Sequence, residues 1–447
     1  MRRLLSLLLF VAALFAAIEC VAQSCSVPVF TVPQAFFGIT QLSFANPLWS
    51  ASFNAGYVRL WDTTFVWPII NTAASTFTYS TANDAIISTI ISSGARPDFV
   101  FGRTPAWATS GGGCTGSYHP TGCAQRPSDI NSGNAILVAM VNSLVAHLAS
   151  THPGVHWVME CVNEADLTGE WANDAGTALG SMSDLVTYCT ALRTAAHAAD
   201  ANIIVLGPSG SSINTSNVHL YSDGNHYATQ SGAAASMDAM NFHAYLQSCS
   251  TYCTVPELLQ TAWGQVTSLI QPGGPLAGKP VWITEADWGG SPPANNANLT
   301  ALQKEQYLSR TIMYAFVNNV TSIHWYAYDS HPDNLSAGFG SLIAGSPPTS
   351  ATPLPVATTM ATMESVLVGS TYFPSPCFQD PKGTWECNLI SSPASTGKAE
   401  IIWNATTTET ITVPSTFTKV INMNDGTQTA IVSHQVTAGP SVVTAIP

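Results

Sequence analysis

The sequence predicts an α/β fold: a (β/α)8 TIM barrel followed by a small C-terminal all-β module of sandwich-like character. Three observations carry that prediction. Eight short apolar runs between Phe36 and about Gly369 alternate with stretches of helical periodicity; the alternation stops near Tyr372; and strand-like runs separated by turn residues take over from there. Strands separated by helices call for a parallel sheet wrapped by helices, and at eight strands such a sheet closes on an interior that side chains just fill. At 447 residues the chain has room for a barrel of roughly 250 to 350 residues plus a smaller module.

The elements follow in order. Met1-Arg2-Arg3, the apolar run Leu4 to Ile18 and Cys20-Val21-Ala22 read as the basic, apolar and cleavage regions of a signal peptide. We therefore expect a leader over residues 1–22, a mature chain from near Gln23, and an extracellular or periplasmic destination with no membrane attachment after cleavage. The barrel is assigned to residues 23–370. Its strands are expected near Phe36-Ile39, Tyr57-Trp61, Asp98-Arg103, Val155-Asn163, Asn202-Gly207, Met237-His243, Pro280-Glu285 and Ser322-Tyr328.

Among the helices, Thr254 with Glu257 and Thr300 with Gln303 have capping-box spacing, and Leu259, Ala262, Trp263, Val266 and Ile270 recur on one helical face. A Pro-, Ser- and Thr-rich loop, Gly345 to Pro355, precedes a last helix over about Val356 to Val368. The all-β module is assigned to residues 371–447, with strands at Trp385-Ile390, Ala399-Trp403, Glu409-Val413, Lys419-Met423, Thr429-Val432 and Val442-Ile446. Residues 25–32 are a candidate extra strand for it.

Composition narrows the partners. Charged residues are only 9% of the chain, with 13 Lys plus Arg and a formal net charge of -13. So acidic a chain without a basic cluster beyond its first residues is unsuited to phosphate backbones, which argues against nucleic acid and anionic membranes and favours a neutral, polar partner. Sparse charge also limits self-repulsion when carboxylates protonate, so tolerance of acidic surroundings is expected. Export permits disulfides: Cys114 with Cys123, Cys249 with Cys253 and Cys377 with Cys387 lie close enough to pin loops, while Cys25, Cys161 and Cys189 are left unassigned. No His pair at ligand spacing accompanies them, so neither a metal nor another cofactor is implied.

In a barrel of this kind chemistry sits at the C-terminal ends of the strands, so polar residues that close an apolar strand are informative. Two carboxylates do so. Glu164 follows the fourth predicted strand and Glu285 the seventh, placing them across the barrel mouth from each other. Retaining glycosidases need such a pair, with carboxyl groups roughly 5 to 5.5 Å apart, one attacking the anomeric carbon and the other cycling its proton. Glu170 and Asp287 are nearby acids that lie past their strands in loops and rank lower.

Glu160-Cys161-Val162-Asn163-Glu164 resembles the strand-four signature of the clan A retaining glycoside hydrolases, most nearly family 39 and the related family 5. The resemblance implies that Glu164 is the general acid/base and that Asn163 binds the sugar hydroxyl beside the anomeric carbon. Thr284-Glu285 is similar to the clan's strand-seven ending, which implies that Glu285 is the nucleophile. Arg59 matches the strand-two arginine that keeps the nucleophile ionised, as a fixed guanidinium beside a carboxylate does. Asn241-Phe242-His243-Ala244-Tyr245 resembles the pocket-lining His and Tyr positions, and Trp325 fits the aromatic floor under the sugar, ahead of Trp107. Ala165 stands where the family usually has Pro, and Val162 where Trp is common.

The resulting expectation is hydrolysis of β-glycosidic bonds in oligo- or polysaccharides with retention of configuration, through a glycosyl-enzyme and without a cofactor. The alternative is a barrel of the same shape that binds carbohydrate without cleaving it; the presence of both glutamates speaks against that.

Overall fold

The computed structural model describes residues 28–40, 53–109, 114, 122–214, 216–245, 256–287, 299–329, 341–344, 352–395 and 397–447. The proposed leader, Cys25, Thr254 and the Cys249–Cys253 pair lie outside them. The barrel predicted from the sequence is present. Its strands are β1 (Phe37–Thr40), β2 (Tyr57–Arg59), β3 (Arg96–Val100), β4 (Val158–Glu160), β5 (Ile204–Leu206), β6 (Met240–His243), β7 (Val281–Ala286) and β8 (Ser322–Tyr326).

All neighbouring pairs in this eight-stranded sheet are parallel, running from β5 through β1 and round to β6. Between β5 and β6 closure rests on two isolated parallel bridges rather than a ladder: Leu206 with Ala239, where the Gly207 N–H donates to the Ala239 carbonyl at 2.9 Å, and, past the end of β5, Gly210 with Phe242, where the His243 N–H donates to the Gly210 carbonyl at 2.8 Å. The strands are shorter than the apolar runs that predict them, because beyond residues such as Glu160 the backbone turns into the loops that carry the site.

Period-two alternation sorts the side chains into two cores. Inside the barrel Tyr57, Val158, Leu206, Ala239 and Trp282 pack together, with the Tyr57 and Trp282 rings 4.8 Å apart and the His324 ring 5.9 and 5.8 Å from them. Gly38 faces His324 from β1, and a Cβ there would come within 2.1 Å of the imidazole, so only glycine leaves room for the ring. The alternate residues, among them Phe37, Ile39, Val58, Phe99, Met159, Phe242, Ile283 and Trp325, belong to a larger core that also takes in the apolar faces of the helices.

Those helices are α1 (Thr81–Ser92), α2 (Ala135–Thr151), α3 (Met182–Ala199), α4 (Glu257–Ile270), α5 (Ala301–Val317) and α6 (Pro355–Leu367). The Ser80 and Ser181 side chains accept from N–H groups in the first turns of α1 and α3, and Thr300 with Gln303 forms the predicted capping box on α5. Glu257, expected three residues inside α4, is instead its first residue and accepts from Arg310 Nε at 2.7 Å. Leu259, Ala262, Trp263 and Val266 are buried as their spacing predicts.

Beyond α6 the chain forms the expected all-β module. Strands β9 (Cys377–Gln379), β10 (Thr384–Leu389), β11 (Ala399–Asn404), β13 (Lys419–Asn422), β14 (Gln428–Ala430) and β16 (Val443–Ile446) make one antiparallel sheet. β12 (Glu409–Thr412) pairs with β15 (Gln435–Ala438). Ile402, Val413, Phe417, Val436, Ala438 and Ala445 form the module's own small core. It rests on α5 through Tyr314, whose ring stands edge-on to both Trp385 and Trp403 at 5.9 Å, and through Arg310 donating to the Pro440 carbonyl at 2.6 Å. Phe30–Thr31 does pair antiparallel, but with Thr371–Tyr372 in a separate two-stranded ladder rather than as a member of the module's sheet.

Cys114 is bonded to Cys123 and Cys377 to Cys387, as spacing suggests. Cys161 and Cys189, left unassigned by the sequence, form a third disulfide with Cα atoms 5.4 Å apart, tying β4 to α3. No helix among the described residues is long and apolar enough to cross a membrane.

Candidate active site

The interior of the barrel turns polar at the C-terminal ends of its strands, and there Arg59 is the hub. Fully buried on β2, it donates from Nε and Nη2 to the two carboxylate oxygens of Glu160 at 2.9 Å each, from Nη2 to Asn163 Oδ1 at 2.7 Å, and from Nη1 to Glu285 Oε1. Burial works against its charge, yet Glu160 and Glu285 outweigh burial and hold the guanidinium protonated well above its usual range. Arg59 thus pairs with Glu160 in the barrel interior and also grips Glu285.

Glu285 closes β7, where the register with β6 and β8 shifts at the strand end. Its second oxygen, Oε2, accepts from the Tyr245 hydroxyl at 2.8 Å and lies 3.4 Å from His243 Nδ1. Glu164 stands one residue beyond Asn163 with a positive φ of 40°, and its backbone N–H donates to Ser209 Oγ at 2.9 Å. That conformation aims its side chain across the mouth, where Oε1 sits 2.9 Å from the same His243 Nδ1. With carboxylate oxygens facing Nδ1 from two sides, the imidazole proton belongs on that nitrogen. Burial lowers the pKa of His243 and keeps the ring neutral, so it is a donor rather than a third charge.

The donor atoms of Glu164, His243 and Glu285 all lie within 4.8 Å of one another. Among the described residues this trio is also the grouping close enough to ligate an ion. Arg59 already supplies a cation against Glu285, so the site's own chemistry does not call for a metal.

The two glutamates differ in their protons. Burial, then Glu170 and Asp166, push Glu164 well above the usual carboxylate range. Burial raises Glu285 to about 7, with His243 and Arg59 opposing it. Neighbouring acids thus add to burial at Glu164, whereas His243 and Arg59 oppose it at Glu285, a difference in the sense that a general acid and a nucleophile need.

Asn163, Arg59, His243 and Tyr245 converge on the two glutamates. Trp325 does not. Ser322, His324 and Tyr326 share the interior face of β8, and the alternation turns Trp325, 1% exposed, outward into the helix-facing core. Tyr326 takes the interior position instead, its hydroxyl donating to Asp62 Oδ2 at 3.2 Å and its environment including Glu285. The apolar pair Ile323 and Trp325 on one parity of Ser322-Ile323-His324-Trp325-Tyr326 was the sequence signal for this. Trp107 spends its indole N–H on the Asn71 carbonyl at 2.9 Å and is structural.

Sequence reasoning also ranked Glu170 low. It lies 5% exposed behind Asn163 and accepts from Asn163 Nδ2 at 3.2 Å. Arg103, whose guanidinium stacks 3.8 Å from the centre of the Trp61 ring and lies 3.8 Å from Asp62, completes that side of the site.

No protein-family model matches the sequence, and no curated protein does. Solved structures do match. A family 39 glycoside hydrolase from Bacteroides cellulosilyticus WH2 superposes with a TM-score of 0.63 at 14% identity, over 92% of this chain and 80% of that one. A family 39 β-xylosidase from Caulobacter crescentus gives 0.60 at 12% identity, over 94% and 97%. A family 30 subfamily 8 xylanase from Clostridium acetobutylicum gives 0.55 at 12%, over 95% and 97%. At such identities the likeness is one of architecture, and the chain has the fold of the clan A (β/α)8 glycoside hydrolases of families 39 and 30.

Proposed function

We propose that the protein is a secreted retaining glycoside hydrolase that cleaves β-glycosidic bonds by double displacement. The observation that carries this reading is the spacing of the two glutamates. Their facing carboxylate oxygens lie within 4.8 Å, which suits direct attack by one of them. Inverting enzymes hold the pair roughly 6.5 to 9.5 Å apart to leave room for a water.

In the first step Glu285 attacks the anomeric carbon as the bond to the leaving oxygen breaks, and Glu164 gives its proton to that oxygen. In the second, Glu164 takes a proton from water as the water oxygen attacks the same carbon and releases Glu285. Arg59 and Tyr245 hold the Glu285 carboxylate in place, Asn163 meets the neighbouring sugar hydroxyl, and Tyr326 offers a ring face for the sugar to stack on.

Neighbours in the fold that are named as a β-xylosidase and xylanases make aryl β-xylosides and xylan the first substrates to try. On a turned-over substrate, Glu285→Ala should abolish hydrolysis and azide should partly restore it, because a small anion can occupy the space of the lost nucleophile. Glu164→Ala should slow glycosides with poor leaving groups by about 100-fold or more while sparing the first step on activated aryl glycosides. Wild-type turnover in Glu285→Ala would refute the assignment.

A further inference from the structure

We propose that Glu170 is a positioning residue of this reaction: the turn after β4 returns it to the side of Asn163, where it fixes that amide and sets a second acid behind Glu164. The inference rests on the functional reading above for what the Glu164 proton does. The geometry itself is independent of that reading.

After Glu164 the chain folds straight back. The Leu167 N–H donates to the Glu164 carbonyl at 2.8 Å and the Glu170 N–H to the Leu167 carbonyl at 3.0 Å, a turn that returns Glu170 to the side of Asn163. The next residue anchors it: Trp171 is 2% exposed, and its indole N–H donates to the Ser181 carbonyl at 3.3 Å. Asn163 is then held at both ends of its amide. Oδ1 accepts from Arg59 at 2.7 Å and Nδ2 donates to Glu170 at 3.2 Å, which excludes the flipped amide and leaves the second Nδ2 hydrogen for a substrate hydroxyl.

The electrostatics point the same way. Around Glu164 stand Glu170 and Asp166 from its own loop, Arg59 and Asp62 from β2 and the residues after it, His243 from β6 and Glu285 from β7. After burial, Glu170 is the largest influence raising Glu164. Glu170 itself faces Arg103, Asn163, Asp62 and Arg59, and burial raises it to about 8 with Arg103 opposing. The largest influences on Glu285 come from elsewhere: burial, His243, Arg59, Glu164 and Asp62. Above about pH 8, therefore, an anion at position 170 resists proton loss from the acid/base more than from the nucleophile.

Two variants separate the two roles. Glu170→Gln keeps an acceptor for Asn163 but removes the charge; Glu170→Leu removes both. Carboxyl 13C titration of glutamate-labelled protein reads Glu164 and Glu285 without substrate, with Glu164→Gln assigning the signal. In Glu170→Gln the Glu164 midpoint should move down by roughly half to one pH unit while Glu285 moves less. The alkaline limb of kcat/KM on 4-nitrophenyl β-D-xyloside should move with it and the acidic limb should move less. Glu170→Leu should in addition lose about tenfold in kcat/KM at neutral pH, which Glu170→Gln retains.

An unmoved Glu164 midpoint, or equal movement of both glutamates, overturns the proposal. If the titration shifts as described and no glycoside is turned over, the functional reading fails and the role of Glu170 stands.

Discussion

Glu164, the proposed acid/base, holds a strained place in this site. At φ 40° Glu164 occupies a left-handed conformation that a residue with a Cβ adopts unwillingly and glycine adopts freely. Such outliers persist where the surroundings over-determine them, as Ser209 and His243 do here. Comparing two deletions isolates the backbone term: Glu164→Gly should be more stable than Glu164→Ala by about 0.5–1 kcal/mol, read from denaturant midpoints. Equal midpoints would mean that position 164 is unstrained. The same scale explains one misplacement. Trp325 was chosen for its chemistry, an aromatic near a strand end, whereas the pleat decides which side chains look inward, and the pleat favours Tyr326.

Among the elements, β4 bears the heaviest duty for its size. Only Val158–Glu160 lie in the ladder, yet the strand end must hold Glu160, Asn163 and Glu164 in register with Arg59 and His243. The Cys161–Cys189 disulfide fixes that end to α3 from the opposite face, closing a loop across 28 positions. In the loop-entropy picture such a bond is worth about 3 to 4 kcal/mol. The double variant Cys161→Ala/Cys189→Ala should lose stability of that order in guanidinium unfolding, and its kcat should fall more than its KM rises as the strand end loosens. An unchanged midpoint would show that the helix packing alone suffices. This pairing was illegible in the sequence, because two half-cystines that far apart are brought together by the barrel and not by their spacing.

For the whole molecule, buried carboxyls set the response to pH. Glu170 is raised to about 8, Glu285 and Glu400 to about 7, and Asp98 and Glu164 well above the usual range, burial being the first cause each time. A carboxyl whose folded pKa exceeds its unfolded value stabilises fully below the unfolded value, about 4.5, and loses that contribution as pH rises through the folded one. His243 and His324, lowered by burial, and Asp166, lowered by its hydrogen bonds against the opposing effect of burial, act in the opposite direction, His324 down to about 3. The carboxyls are more numerous, so melting temperature should be higher at pH 5 than at pH 9, in line with the acid tolerance expected from sparse charge. A midpoint that climbs with pH would defeat this. The proposed mechanism needs Glu285 ionised, so on that mechanism activity should grow over the very range in which stability declines.

Most of the architecture was legible because alternation, caps and apolar faces are local signals. The convergence of Glu164 and Glu285 was legible only through their places at strand ends. What was hidden, namely Glu170, Tyr326 and the third disulfide, depends on loop geometry, side-chain parity and long-range closure. That closure has one more implication. A ring of eight strands has eight joints, and the joint between β5 and β6 is the thinnest, two isolated bridges, Leu206 to Ala239 and Gly210 to Phe242, in place of a ladder. Glu164 hangs from one side of that gap and His243 with Glu285 from the other, so the 2.9 Å bond from His243 to Glu164 works as a clasp across it. Were the ring to part there, Glu164 and Glu285 would drift away from each other first, and on the proposed mechanism loss of turnover would announce the opening before any spectroscopic sign of unfolding.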